Sequence, residues 1–174
     1  MWSSNAGVIL ERAYRNRQAH KLNRHLSDPY ALERFVEAQD SVYDQVCWEL
    51  QQGLKITHWM WFIFPQLEGL SSSVTSRKFA ISSLEEAVAY LEHPMLGSRL
   101  RQCTQLLNAT SGRTIKRILG LTDSLKFQSC MTLFAKATND SKIFEDALQK
   151  FYEGEQDQLT LEYLAVLNSH NKTP

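Results

Sequence analysis

One histidine and two tryptophans crowd into the stretch Lys55-Ile56-Thr57-His58-Trp59-Met60-Trp61-Phe62-Ile63-Phe64-Pro65-Gln66. Histidine titrates near neutrality and can move a proton, and indole rings give flat surfaces against which a planar ligand stacks. On a helix, Trp59, Phe62 and Ile63 share one face, while His58 and Trp61, at i and i+3, share another. One set can fill a core while the other lines a cleft. The competing reading is a central helix that is apolar all round, with His58 hydrogen-bonded and inert. His58 is also the one weak candidate for a catalytic residue, as a general base. No nucleophile, metal or second acid can be named to accompany it, so the sequence leaves open whether the protein is an enzyme.

A second stretch, Lys126-Phe127-Gln128-Ser129-Cys130-Met131-Thr132, puts a cation and two hydroxyls beside an apolar stripe. With Lys126, Ser129 and Thr132 at intervals of three, the group could hold a phosphate or carboxylate. The alternative is that Ser129 and Thr132 bond back to their own helix and Lys126 is solvated. Cys130, on the stripe, reads as a small core residue. Combined, the two stretches suggest a pocket for a small anionic, partly aromatic ligand, lined by His58, Trp59, Trp61, Lys126, Ser129 and Thr132. Standard cradles are absent: the sequence contains no H-E-x-x-H, C-x-x-C, G-x-x-x-x-G-K, G-x-G-x-x-G or G-x-S-x-G. No metal site and no cofactor are expected.

The elements that must position these residues are helical. Asp28-Pro29 reads as an N-cap followed by proline at the first helical position, with Leu32, Phe35 and Val36 behind it. Tyr43, Val46, Cys47 and Leu50 form the next stripe, ended by Gly53. Leu70 to Ser76 reads as a loop. Ser83 with Glu86 makes a capping box for Leu84, Ala87, Val88 and Leu91. Leu96, Leu100, Cys103 and Leu107 mark a further helix, and Asp123 to Thr138 another through Phe127, Cys130, Phe134 and Ala137. Asp140 is expected to cap a helix with Ile143, Phe144, Ala147, Leu148 and Phe151 inward, and Asp157 one with Leu161, Leu164 and Ala165 inward. No convincing strand pattern appears. The expectation is an all-α, compact single-domain bundle of about seven helices.

Composition agrees. The chain has 174 residues, 43% of them hydrophobic, enough for one domain with a real core, and its seven Gly and four Pro are too few for an all-β fold. The net charge is zero, which gives no global reason to bind nucleic acid or an acidic membrane. Charge is uneven, however: residues 1–27 carry Arg12, Arg15, Arg17, Lys21 and Arg24 against Glu11 alone. The domain reading is therefore a basic arm over 1–27, an all-α domain over 28–168 and a tail over 169–174. The arm is the only expected route to nucleic acid, and its composition also permits a mitochondrial presequence. Three cysteines without a C-x-x-C point to free thiols in a reducing compartment, so the protein is expected to be cytoplasmic. No apolar run is long enough to span a bilayer. The rival to ligand binding is a non-enzymatic interaction or scaffold protein acting through its basic arm.

Thr57-His58-Trp59-Met60-Trp61-Phe62-Ile63-Phe64-Pro65-Gln66-Leu67, followed by Gly69, resembles the signature of the family known as domain of unknown function 1810. Phe79-Ala80-Ile81, His93-Pro94-Met95-Leu96-Gly97 with Arg99-Leu100-Arg101, and Asp123 to Phe134 extend the similarity from about Asp28 to Leu164. The resemblance implies a compact all-helical domain and brings no established reaction. Some relatives carry the label calpastatin, but an inhibitor of that type is a largely disordered chain, unlike this core-forming composition. Ser71, Val74 and Ser98 stand where the family usually has Gly, Pro and Pro, so the 70s loop is expected to have its own shape.

Overall fold

The computed structural model describes residues 28–170; the basic arm, with the nucleic-acid and presequence readings attached to it, lies outside the described residues, as do residues 171–174. Two units divide the chain, one ending at Glu33 and the other starting at Arg34. At the end of the first, the Asp28 carboxylate accepts from the amides of Leu32 at 2.7 Å and Glu33 at 3.0 Å. Asp28 thus caps a turn and Pro29 does not open the helix as expected. Ala31 adopts φ 51°, and α1 (Glu33–Asp40) begins only after it.

The regular elements described in the second unit are helices: α2 (Tyr43–Gln51), α3 (Met60–Ile63), α4 (Val74–Lys78), α5 (Leu84–Glu92), α6 (Leu96–Ala109), α7 (Ile115–Leu119), α8 (Leu121–Lys136), α9 (Lys142–Tyr152) and α10 (Gln158–His170). The seven helices of eight residues or more, α1, α2, α5, α6, α8, α9 and α10, are the seven that periodicity identifies. The three extra ones have four or five residues, too short for an i, i+3, i+4, i+7 pattern to register. One of them, α4, replaces part of the expected loop. Ser73 caps it by accepting from the Ser76 amide at 3.0 Å.

Helix ends follow local chemistry. Gly53, at φ 64°, closes α2 with paired bonds from its own amide to Leu50 O and from Leu54 to Glu49 O, the Schellman arrangement. Ser83 caps α5 as expected, but Glu86 reaches back to the amide and hydroxyl of Ser82, so the box closes one residue early. Asp157 caps α10 through the Thr160 amide at 2.9 Å. Asp140 does not cap α9; the Ser141 carbonyl takes the first bonds there instead. His93 caps α6 through Nδ1, which accepts from the Met95 and Leu96 amides at 3.3 Å each.

At the centre, α8 packs against α5, α7, α9 and α10. Its Phe127, Cys130 and Phe134 are wholly buried, each phenyl ring contributing on the order of 2 kcal/mol from burial alone. Aromatic rings knit the core together: Phe64 meets Phe127 edge-on at 4.9 Å, and Tyr90 lies 5.3 Å from Phe134. On α10, Thr160 and Leu164 face inward and Ala165 is exposed, correcting the expected stripe. Among the described residues no helix is long and apolar enough to cross a membrane.

Candidate functional site

Two carboxylates organise the aromatic stretch. The first is Glu49, on the otherwise apolar end of α2 and completely buried. Its oxygens accept from the Ile56 amide at 2.8 Å, the Thr57 amide at 3.1 Å and hydroxyl at 2.7 Å, the Trp59 indole at 2.8 Å and the Gln45 amide at 3.2 Å. Burial opposes ionisation, but the hydrogen bonds from Ile56, Thr57 and Trp59 outweigh it and hold the carboxyl at about 2. Glu49 thereby fixes the segment between α2 and α3 and locks Trp59, 1% exposed, into the core.

The second is Asp123, in the first turn of α8. It bonds Lys55 Nζ through one oxygen and Lys126 Nζ through the other, each at 2.9 Å. Burial would raise its pKa; the two ammonium groups, Lys126 first, more than offset this and hold it below the usual carboxylate range. Each lysine also lies over an indole: Lys55 is 5.3 Å from the Trp59 ring centroid and Lys126 5.0 Å from that of Trp61. Two cations share one carboxylate, so the cluster keeps a net positive charge. Lys55 is held in place by its own amide, which donates to Ile118 O at 2.7 Å.

Beside this cluster lies a small recess with room for about 20 Å³, lined by Trp61, Phe64, Gln66, Glu68, Arg77, Phe79 and Lys126 among others. Its wall is built by crossing two extended segments. Ile81 N donates to Gln66 O at 2.9 Å and Glu68 N to Ile81 O at 2.8 Å, a single parallel bridge that brings residues 66–69 against residues 79–81. Gly69 at φ 92° turns the chain away; a Cβ there would lie 2.4 Å from the Tyr163 ring, so only glycine fits under that tyrosine. Arg34 secures the opposite end through Glu86 at 2.6 Å and the carbonyls of Lys78 and Ala80. Arg77, in α4, is exposed at the cleft, and Glu68 is the one carboxylate in the lining.

Of the residues singled out from sequence, Trp61 and Lys126 meet in this cleft. The others stand elsewhere. Trp59 is closed into the core, so it has no face for a ligand. Ser129 and Thr132 are buried, and their hydroxyls donate to Leu125 O at 3.2 Å and Gln128 O at 2.9 Å, with Thr132 also accepting from the Asp157 amide. They bond back to their own helix, the simpler of the two readings of that stretch. His58 is exposed and outside the lining. Sequence reasoning overlooked Arg77, which lies just past the Leu70 to Ser76 stretch read as loop, and Asp123, whose i, i+3 spacing to Lys126 was a legible signal. Among the described residues no group of three or more His, Cys, Asp or Glu could hold a metal ion.

The family described as "Protein of unknown function (DUF1810)" matches residues 29–164. The crystal structure of the conserved hypothetical protein Rv1873 from Mycobacterium tuberculosis, at 1.38 Å, is similar: 52% identity and a TM-score of 0.79 over 79% of this chain and 99% of that one. No curated protein matches the chain.

Proposed function

The chain belongs to the DUF1810 family of proteins of unknown function, and we propose that it is a cytoplasmic helical domain that binds a small anion carrying an aromatic ring at the Trp61–Lys126 cleft. One observation carries the reading. Lys126 and Arg77 both line a recess walled by Trp61, Phe64 and Phe79, in which Glu68 is the one carboxylate, and the carboxylate partner of Lys126, Asp123, is shared with Lys55. Cations beside aromatic walls are the usual recognition set for such a ligand. The anion lies between Lys126 and Arg77, the ring packs on the exposed part of Trp61, and Gln66 and Glu68 offer hydrogen bonds at the rim. The recess itself has room for a group of about the size of one water, so most of the ligand lies outside it, against the exposed Arg77 and Glu68. Three free cysteines support a reducing compartment.

The test is to extract the purified protein under denaturing conditions, identify the released compound by mass spectrometry and titrate it back, following tryptophan fluorescence. Affinity is expected to fall at least about tenfold, or about 1.4 kcal/mol, in Lys126→Met and in Arg77→Ala. Equal affinity in both variants would remove the reading.

A second reading rests on a separate observation. Arg113, Lys116 and Lys150 line a broad, open recess of about 370 Å³ with Thr114, Ile115 and Phe151 and no carboxylate. Such a surface suits an interaction protein with an acidic partner. Binding of an acidic peptide that weakens steeply with salt, is lost in Lys116→Glu and survives Lys126→Met would favour it.

A further inference from the structure

Three cysteines stand apart from the cleft, and two of them face each other across neighbouring helices. The register of α2 against α6 is set by three contacts. Asp40, just before α2, pairs with Arg99 at 2.9 Å; the Tyr43 hydroxyl donates to Gln102 Oε1 at 3.1 Å; and the Arg99 guanidinium lies 4.6 Å from the Tyr43 ring centroid. Both chains advance in the same direction through these contacts. One turn further along α2 comes Cys47, half-buried, and on the facing side of α6 comes Cys103, wholly buried. With Arg99 stacked on the Tyr43 ring, the residues one turn further along each helix, Cys103 and Cys47, come to matching positions on the two neighbouring helices.

We propose that Cys47 and Cys103 form a redox-active thiol pair, Cys47 reacting with a hydroperoxide and Cys103 closing a disulfide with it. The surroundings divide the roles. Cys47 has the Cys103 thiol and the Arg99 cation near it, both of which favour its thiolate, while partial burial and Asp44 oppose it. The Cys103 hydrogen bond is the largest of these, and the balance lowers the Cys47 thiol to about 6. Cys103, as the donor to that thiolate and deeply buried, is pushed well up and remains protonated. Cys130, wholly buried on α8, is also pushed up by burial and serves as an internal control.

The Cys47 thiolate attacks the distal oxygen of the hydroperoxide, the O–O bond breaks, and Cys47 becomes a sulfenic acid while the alcohol or water leaves with the proton it needs from solvent. Cys103 then attacks the Cys47 sulfur, its thiol proton leaves with the hydroxyl as water, and an S–S bond forms. Two electrons pass from the thiol pair to the peroxide. A disulfide between residues at matching positions on two adjacent packed helices needs little backbone movement.

The experiment treats the full chain at pH 7 with a small excess of hydrogen peroxide, then blocks remaining thiols and maps the peptides by mass spectrometry. The expected result is a dithiothreitol-reversible Cys47–Cys103 peptide, with Cys130 still free. Before oxidation, Cys47 should alkylate at least about tenfold faster than Cys103 or Cys130 in the folded protein. Cys103→Ser should leave a sulfenic acid on Cys47 that dimedone captures; should that variant misfold, the wild-type peptide map decides alone. A free Cys47 after peroxide, its conversion to sulfinic acid with Cys103 untouched, or a Cys47–Cys47 dimer would each overturn the pairing.

Discussion

Glu49, buried, and Asp123, half-buried, are carboxylates that each fix an aromatic residue of the same stretch, and they are satisfied in opposite ways. Glu49 is surrounded by neutral donors from its own neighbourhood, which leaves a self-contained negative charge and a sealed Trp59. Asp123 is surrounded by two ammonium groups, which leaves one excess positive charge next to the half-buried Trp61 and an open recess. The first arrangement can only hold the fold together. The second leaves electrostatic capacity that a ligand can use. Two tryptophans separated by a single residue thus belong to different parts of the molecule's work.

The largest expected effect lies on the closed side. Trp59→Ala should cost about 3 to 5 kcal/mol in urea unfolding, against about 1 kcal/mol or less for Trp61→Ala. Similar losses from both would erase the distinction between sealed and open indole. Next comes acid sensitivity. The Glu49 carboxyl is lowered from 4.5 to about 2 in the folded chain, so its contribution is complete above pH 4.5 and is lost as pH falls toward 2. That contribution is about 3 kcal/mol, and Glu49→Gln should lack the corresponding acid limb in a pH series of unfolding curves. An identical acid limb in the variant would mean that other carboxylates govern it. Lys126→Met should change stability by only about 1 kcal/mol, since the Lys55 bond still satisfies Asp123. A larger loss would make Lys126 a structural cation. The smallest expected effect is His58→Ala, which should leave both the thermal midpoint and ligand affinity unchanged; lost affinity would return His58 to the site.

Long helices were readable because each buries one stripe: Leu96, Leu100, Cys103 and Leu107 of α6, and Phe127, Cys130 and Phe134 of α8, all face inward as their spacing requires. The site was only half readable. Trp61 and Lys126 carry chemistry in their side-chain types, but which of two nearby tryptophans stays accessible depends on where Glu49 stands in space, seven residues along the chain from its Ile56 donor and ten from Trp59. A buried glutamate on α2 breaks the helical pattern and has no local signature. Arg77 was hidden because α4 is one turn long, and its place at the cleft depends on the bridge between Leu67 and Ile81, a tertiary contact that no periodicity encodes. Ser129 and Thr132 misled in the opposite direction: hydroxyls beside an apolar stripe look available, yet the nearest acceptor is the helix's own carbonyl four residues back.

The most direct test of the open-cleft assignment is a double-mutant cycle on Trp61 and Lys126, measured by calorimetric titration of the copurified compound into the wild type, Trp61→Leu, Lys126→Met and the double variant, all confirmed folded. Each single change should weaken binding at least about tenfold, and the double change should cost clearly less than the two together, because both side chains act on one ligand. Unchanged affinity in either single variant, or losses that simply add, would contradict a shared site.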